Sequence, residues 1–251
     1  MRLRESFLSN TAEFYSMKRQ VATVLRVFDE CETVKTLEVE LSEPISPKPG
    51  QCGTFFLLKE DGSFGEGRVY SLSSSPLSKE KISITFRMTP LFPSKLAALK
   101  LGDKIGFFGP YGTFVLDESL SSVVFLGGGV GITPLLSMIR YIGGKKLPVN
   151  MVLIHSNKTV QITPFLDFFK GLEKRNENFK YVLNLTEPEN SEGWEGLKED
   201  GYLSGEMVRK HVPQAESQTF YICGPPPYTK AAVEVLTSIG VPSEKIKLEA
   251  W

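Results

Sequence analysis

The run Ser122–Pro134, SVVFLGGGVGITP, constrains the fold more than any other stretch of the chain. It opens as a continuous apolar segment of the kind buried on both faces of a parallel sheet, then breaks into glycines ahead of ITPLLSMIRYIGG, which has helical spacing. Pro134 suits the start of that helix, and Gly143 and Gly144 mark its expected stop. The same alternation continues to the C-terminus. VNMVLIHS, KYVLNLT, TFYIC and KIKLEA read as strands; TPFLDFFKGLEKR, SGEMVRKHV and PPYTKAAVEVLTSIG read as helices. Strands separated by helices predict a doubly wound parallel α/β sheet.

Before about residue 117 the period is two. Segments 21–28, 33–41, 54–59, 68–74, 81–88 and 104–108 alternate apolar with polar residues between Gly- and Pro-rich breakers, which predicts a small antiparallel β-barrel or sandwich. One short helix is expected over 94–100, with Ser94 as N-cap and Gly102 as stop. The expected organisation is an N-terminal extension 1–16, a β-barrel domain 17–118 and an α/β domain 119–251.

Composition narrows the class. With 251 residues, 29 basic against 29 acidic side chains and 41% hydrophobic residues, the chain is neither disordered nor broadly basic, so a dedicated nucleic-acid binder is excluded. Cys31, Cys52 and Cys223 are scattered and form no metal-binding or disulfide spacing, which fits a reducing, cytoplasmic compartment. The N-terminus has no apolar signal core, and no apolar window is long enough to span a membrane.

Three motifs carry chemistry. In Gly127–Pro134 the spacing is G-x-G-x-x-P, and its glycines bring backbone N–H groups close to a phosphate at a helix start. In RVYS, Arg68 offers a fork of donors to a phosphate, Tyr70 offers a ring face, and Ser71 adds a hydroxyl. At the C-terminus, Cys223-Gly224 in CGPPPY ends a strand of the parallel sheet, and Glu249-Ala250-Trp251 closes the chain. A terminal Trp calls for something flat to cover, a ligand ring or a neighbouring subunit. His155 reads as a capping histidine near the cofactor edge, and His211 as a surface residue.

The ordered set PGQ (Pro49–Gln51), RVYS, GPYGTF (Gly109–Phe114), GGGVGITP, CGPPP and the terminal E-x-aromatic resembles the ferredoxin NADP reductase family over about residues 18–251. The resemblance implies a flavin-binding antiparallel β-barrel followed by an NAD(P)-binding doubly wound α/β domain. It implies that Arg68 contacts the flavin phosphates, Tyr70 packs on the isoalloxazine, Ser71 bonds near flavin N5 and Ser94 reaches the pyrophosphate. Leu91 replaces the family's usual glycine ahead of Ser94. Gly129, Gly131 and Thr133 would hold the nicotinamide cofactor's pyrophosphate, and Cys223 and Gly224 would approach the nicotinamide. The implied catalytic group is Ser71, Cys223, Glu249 and Trp251, with Trp251 stacking on the flavin until the nicotinamide displaces it.

FAD is favoured over FMN. The strand ending His155-Ser156-Asn157-Lys158 carries no carboxylate, which leans to NADPH over NADH, with Ser156 and Lys158 at the adenosine end. The implied reaction passes hydride from NAD(P)H to flavin and electrons onward to a separate acceptor: ferredoxin, flavodoxin, an oxygenase component or a small molecule. No iron-sulfur or haem relay is expected in the chain itself. Arg2, Arg4, Lys18, Arg19, Lys95, Lys100 and Lys104 are either a basic face for an acidic partner or scattered solvated charges. The competing reading is a non-turnover flavin-binding electron-transfer subunit of a larger complex.

Overall fold

In the computed structural model, which describes residues 19–187 and 194–250, the period-two runs become six strands: β1 (Gln20–Cys31), β2 (Val34–Leu41), β3 (Cys52–Leu58), β4 (Phe64–Ser71), β5 (Lys81–Arg87) and β6 (Lys104–Tyr111). They form one sheet in the order β4-β3-β6-β1-β2-β5. An isolated antiparallel bridge between Leu72 and Ile84 brings the two outer strands together and closes the sheet into a barrel. Closure removes the exposed strand edges that an open sheet would leave. Val24, Leu37, Phe55, Ile82, Ile84 and Phe107 point inward and are fully buried, each contributing about 1.5–3 kcal/mol over an exposed position.

The short helix α1 (Phe92–Ala97) begins two residues before its expected start. Leu91, not Ser94, is the N-cap, Pro93 lies in the first turn, and the Ser94 hydroxyl donates to the Leu91 carbonyl at 2.7 Å. Burial decides this start: Phe92 and Leu96 both pack into the barrel core, and proline fits a first turn because its missing N–H costs nothing there. Gly102 serves the turn ahead of β6, with φ +91°, rather than the end of the helix.

The second half supplies β7 (Ser122–Gly128), β8 (Asn150–Asn157), β9 (Phe179–Leu185), β10 (Leu197–Asp200), β11 (Phe220–Gly224) and β12 (Ile246–Ala250), with helices α2 (Ile132–Lys145), α3 (Leu166–Arg175), α4 (Gly205–His211) and α5 (Pro226–Ser238). The strands are parallel in the order β10-β9-β8-β7-β11-β12. The chain therefore winds outward from β7 to β10, then returns to the other side of β7 as β11. The short strand β10 is missing from the sequence reading because LKED has no apolar period to announce it.

Three local expectations are corrected. Helix α2 runs through Gly143 and Gly144 to Lys145, and the left-handed residue after it is Lys146, φ +53°. A Cβ at Gly144 would lie 2.7 Å from Leu77 Cδ1, the movable tip of an exposed side chain. Helix α3 starts at Leu166, after a left-handed Phe165, rather than at Thr163. His211 is buried, not a surface residue, with Nε2 at 2.6 Å from Glu199 Oε1 on β10.

Contacts group the described residues into two compact units, one of 19–29, 34–116 and 136–145, the other of 30–33, 117–135 and 146–250. Among the described residues no helix is long and apolar enough to cross a membrane. The 1–16 extension, Arg2, Arg4, Lys18 and Trp251 lie outside the described residues.

Candidate functional site

The winding reversal between β7 and β11 positions the candidate residues of the parallel sheet. Open α/β sheets leave a crevice at such a point, outside the carboxyl ends of the strands. Here those ends carry the two glycine motifs. Gly127 of β7 pairs with Cys223 of β11, and Cys223 pairs with Glu249 of β12. Gly129–Gly131 forms a single 3-10 turn into α2, with Gly129 in the left-handed region at φ +56°. Gly131 packs directly on β11: a Cβ there would lie 2.5 Å from Gly224 Cα and 2.6 Å from the Cys223 carbonyl. The structure thus brings Gly129, Gly131, Cys223, Gly224 and Glu249 together at the carboxyl ends of neighbouring strands. Thr133 is buried beside them, its hydroxyl donating to the Val130 carbonyl at 3.1 Å.

At the end of β8 the side chains are engaged in other ways than expected. His155 is fully buried, with Nε2 at 3.1 Å from the Gly129 carbonyl and Nδ1 at 3.3 Å from the Tyr181 hydroxyl. Burial pushes its imidazole down to about 4, against the smaller upward pull of the Gly129 bond. Ser156 turns inward and donates to Asn184 Oδ1 at 2.7 Å. Lys158 is ion-paired with Glu187 at 3.1 Å, so the carboxylate missing from the end of β8 arrives from beyond β9. Asn157, 7% exposed, has neither side-chain amide atom hydrogen-bonded among the described residues. A buried amide without a partner costs about 1–3 kcal/mol, and such a group at a crevice edge fits a polar ligand.

The barrel carries its own set of candidate residues. Arg68 on β4 contacts Glu66 Oε1 at 2.9 Å, and Lys95 from α1 contacts Glu66 Oε2 at 2.9 Å. The Arg68 guanidinium also lies 5.6 Å from the centre of the Phe92 ring. Tyr70 is surrounded by Phe55, Phe86 and Phe92, with ring centres 6.1 to 6.4 Å away. Burial pushes its phenol up to about 12, so it is a hydrogen-bond donor at neutral pH. Ser71 follows it, with a buried hydroxyl that has no hydrogen-bond partner among the described residues. Ser94 has given its hydroxyl to Leu91, and its neighbour Lys95 is a charged residue of this region that no sequence motif announces. Lys95 belongs to the set of cations that the sequence offers as a basic face. Of the others, Arg19 lies over Phe56 and Phe64, and Lys104 donates to Thr23.

Residues 125–234 match the family described as oxidoreductase NAD-binding domain. The chain therefore carries an oxidoreductase NAD-binding domain and shares the two-domain fold of ferredoxin NADP reductase-like proteins. A relative from Chromohalobacter salexigens named glycine betaine monooxygenase reductase subunit is 30% identical, covering 92% of this chain and 63% of its own length. A component of the Na(+)-translocating NADH-quinone reductase from Methylococcus capsulatus is also 30% identical, over 72% of this chain and 48% of its own. The chain spans between about half and two thirds of these curated relatives. The two-domain fold of the family is seen in a ferredoxin NADP+ reductase from Neisseria gonorrhoeae solved with FAD and NADP, with TM-score 0.77, 21% identity and coverage of 93% of this chain and 98% of that one.

The residues fit the ligands such a fold carries. The orphaned Ser71 hydroxyl matches the polar edge of a flavin ring, and Arg68 with Lys95 matches a phosphate-bearing tail. Gly131 has to be a glycine to pack on β11, and it stands at a helix start, where backbone N–H groups suit a pyrophosphate.

Proposed function

We propose that this chain is a flavin-dependent NAD(P)H oxidoreductase that delivers electrons to a separate acceptor. The observation that carries this reading is the meeting of Gly129–Gly131 with Cys223–Gly224 at the winding reversal of the parallel sheet. The proposed division is an extension 1–16, a flavin domain 17–118 and a nicotinamide domain 119–251.

Bound FAD would supply the conversion of a two-electron donor into single electrons. The chain's own residues bind and orient. Arg68 and Lys95 neutralise the flavin's phosphates, Tyr70 packs on its ring system and donates through its phenol, and Ser71 donates to the ring edge. Gly129, Gly131 and Thr133 form the cradle for the nicotinamide cofactor's pyrophosphate, with Cys223, Gly224 and Glu249 lining the crevice. Trp251 is assigned the flavin face. Ser156 supports the crevice from inside through Asn184, and Lys158 meets the adenosine end.

The acceptor belongs to the class of ferredoxin, flavodoxin or an oxygenase component. The oxygenase choice is supported by the relative named for a monooxygenase reductase and by the fold shared with a cytochrome P450 reductase from Amycolatopsis, TM-score 0.78 at 22% identity. No cysteine is in a disulfide, which supports a cytoplasmic setting. The deciding experiment is anaerobic mixing of FAD-loaded protein with NADPH and with NADH while flavin absorbance is followed. Bleaching is expected with at least one of them, and a protein that takes up no flavin ends the proposal.

A further inference from the structure

The buried histidine at the root of the glycine loop has a chemical direction that its two partners determine. A carbonyl oxygen only accepts, so the ring nitrogen facing Gly129 must carry the proton: Nε2–H donates at 3.1 Å. Full burial keeps the ring neutral, and a neutral imidazole has one N–H. Nδ1 is therefore an acceptor, and the Tyr181 hydroxyl at 3.3 Å is its donor. Tyr181 is itself completely buried and stacked on Phe169, against which His155 packs edge-on, so neither donor nor ring can drift.

The end of this chain of bonds is one peptide plane. The Gly129 carbonyl and the Val130 N–H belong to the same planar trans peptide and point in opposite directions. Gly129 is left-handed, a conformation that leaves this plane several orientations. The Ile132 N–H also reaches the Gly129 carbonyl, as part of the 3-10 turn, but a carbonyl has two lone pairs and a local turn bond moves with its loop. His155 ties the same oxygen to β8, outside the loop. Holding the carbonyl against β8 turns the Val130 N–H away from β8.

We propose that His155 is a positioning residue for nicotinamide-dinucleotide binding: Tyr181 fixes its tautomer, and its Nε2–H holds the Gly129 peptide so that the loop's N–H groups face the pyrophosphate. This rests on the function proposed above. His155 does not touch the ligand and acts through Gly129.

The test is calorimetric titration of the full chain with NADPH and, separately, NADH, beside titration with FAD. His155→Phe keeps an aromatic ring against Phe169 and deletes both hydrogen bonds. It is expected to weaken dinucleotide binding about tenfold with FAD affinity unchanged. His155→Gln, whose amide N–H substitutes for Nε2–H, recovers most of that loss. Tyr181→Phe, remote from the loop, weakens dinucleotide binding about two- to threefold, and carries the test if His155→Phe does not fold. Nitrogen-15 NMR of the wild type should show a protonated Nε2 and a bare Nδ1 at pH 7, with the Nε2 signal shifting on dinucleotide addition. A folded His155→Phe that binds the dinucleotide as the wild type does overturns the proposal while leaving the function standing. A wild type that binds neither NADPH nor NADH overturns both.

Discussion

Lys95 reaches from α1 to Glu66 at 2.9 Å, and the other oxygen of the same carboxylate holds Arg68 at 2.9 Å. The Lys95 ammonium beside Glu66 keeps its carboxyl below the usual range. All three groups are solvent-exposed, so these bonds exchange readily for a better anion. If Arg68 and Lys95 meet flavin phosphates as proposed, Glu66 competes with those phosphates for both cations. Glu66→Gln is expected to tighten FAD binding several-fold and steepen its salt dependence; Lys95→Ala should weaken FAD more than FMN, since a diphosphate uses the second cation. Fluorescence titration at two salt concentrations checks both, and an unchanged FAD affinity in Glu66→Gln counts against the competition.

Ser71 has a buried hydroxyl without a hydrogen-bond partner among the described residues. Removing such a group relieves a desolvation cost of about 1–3 kcal/mol. Ser71→Ala is therefore expected to leave the flavin-free protein as stable or up to about 1 kcal/mol more stable, while lowering flavin affinity and slowing flavin reduction by NAD(P)H. Urea unfolding of flavin-free protein and stopped-flow reduction measure the two sides. A clear loss of flavin-free stability would show that Ser71 bonds inside the protein instead.

Gly131 has no room for a methyl group, since the obstacle is the Gly224 and Cys223 backbone. Gly131→Ala should cost about 1–3 kcal/mol by overpacking and weaken dinucleotide binding with flavin binding retained. Binding of NADPH and NADH at wild-type strength, in a variant that also unfolds like wild type, would place the crevice elsewhere.

His155 ties stability to pH. Its folded value, about 4, lies below its unfolded value near 6.5, so between the two the unfolded chain binds the extra proton. Stability therefore falls as pH drops from about 6.5 to about 4 and levels off below, by at most about 3 kcal/mol from this group. Tyr181, which faces Nδ1, stays protonated throughout because burial raises its phenol. The difference in unfolding free energy between wild type and His155→Phe should shrink as pH falls from 7 to 4.5; a constant difference would mean that the histidine is accessible to solvent protons in the folded state.

Lys158 and Glu187 sit on the cofactor-preference question. Their ion pair offsets part of the attraction that a lysine would offer a 2′-phosphate. Glu187→Gln should raise the ratio of kcat/KM for NADPH over NADH several-fold, and steady-state kinetics with both cofactors would expose an unchanged ratio.

The amino-acid sequence by itself determined the two periods, the kinds of element and the motif residues that carry ligand chemistry. These are properties of neighbours along the chain: alternation, apolar runs, glycine at turns. It placed Arg68, Tyr70 and Ser71 on one strand and the glycines at a strand-to-helix turn, as the fold has them. Its local errors share a cause. Ser94 reads as a cap and Gly143–Gly144 as a stop because those residue types favour helix ends, whereas burial of Phe92 sets the first boundary and the second helix turns left-handed only at Lys146.

What only the tertiary structure decided were pairings between residues far apart in sequence. Lys95 and Glu66 are 29 positions apart, and His155 and Gly129 are 26 apart. Neither pair leaves a pattern in the sequence, because a salt bridge or a buried hydrogen bond has no period and depends on which strands become neighbours. His155 reads as a cap because its buried partner is a backbone carbonyl, a group every residue has. The parallel register of β7 against β8, with a helix folded between them, selected that one carbonyl.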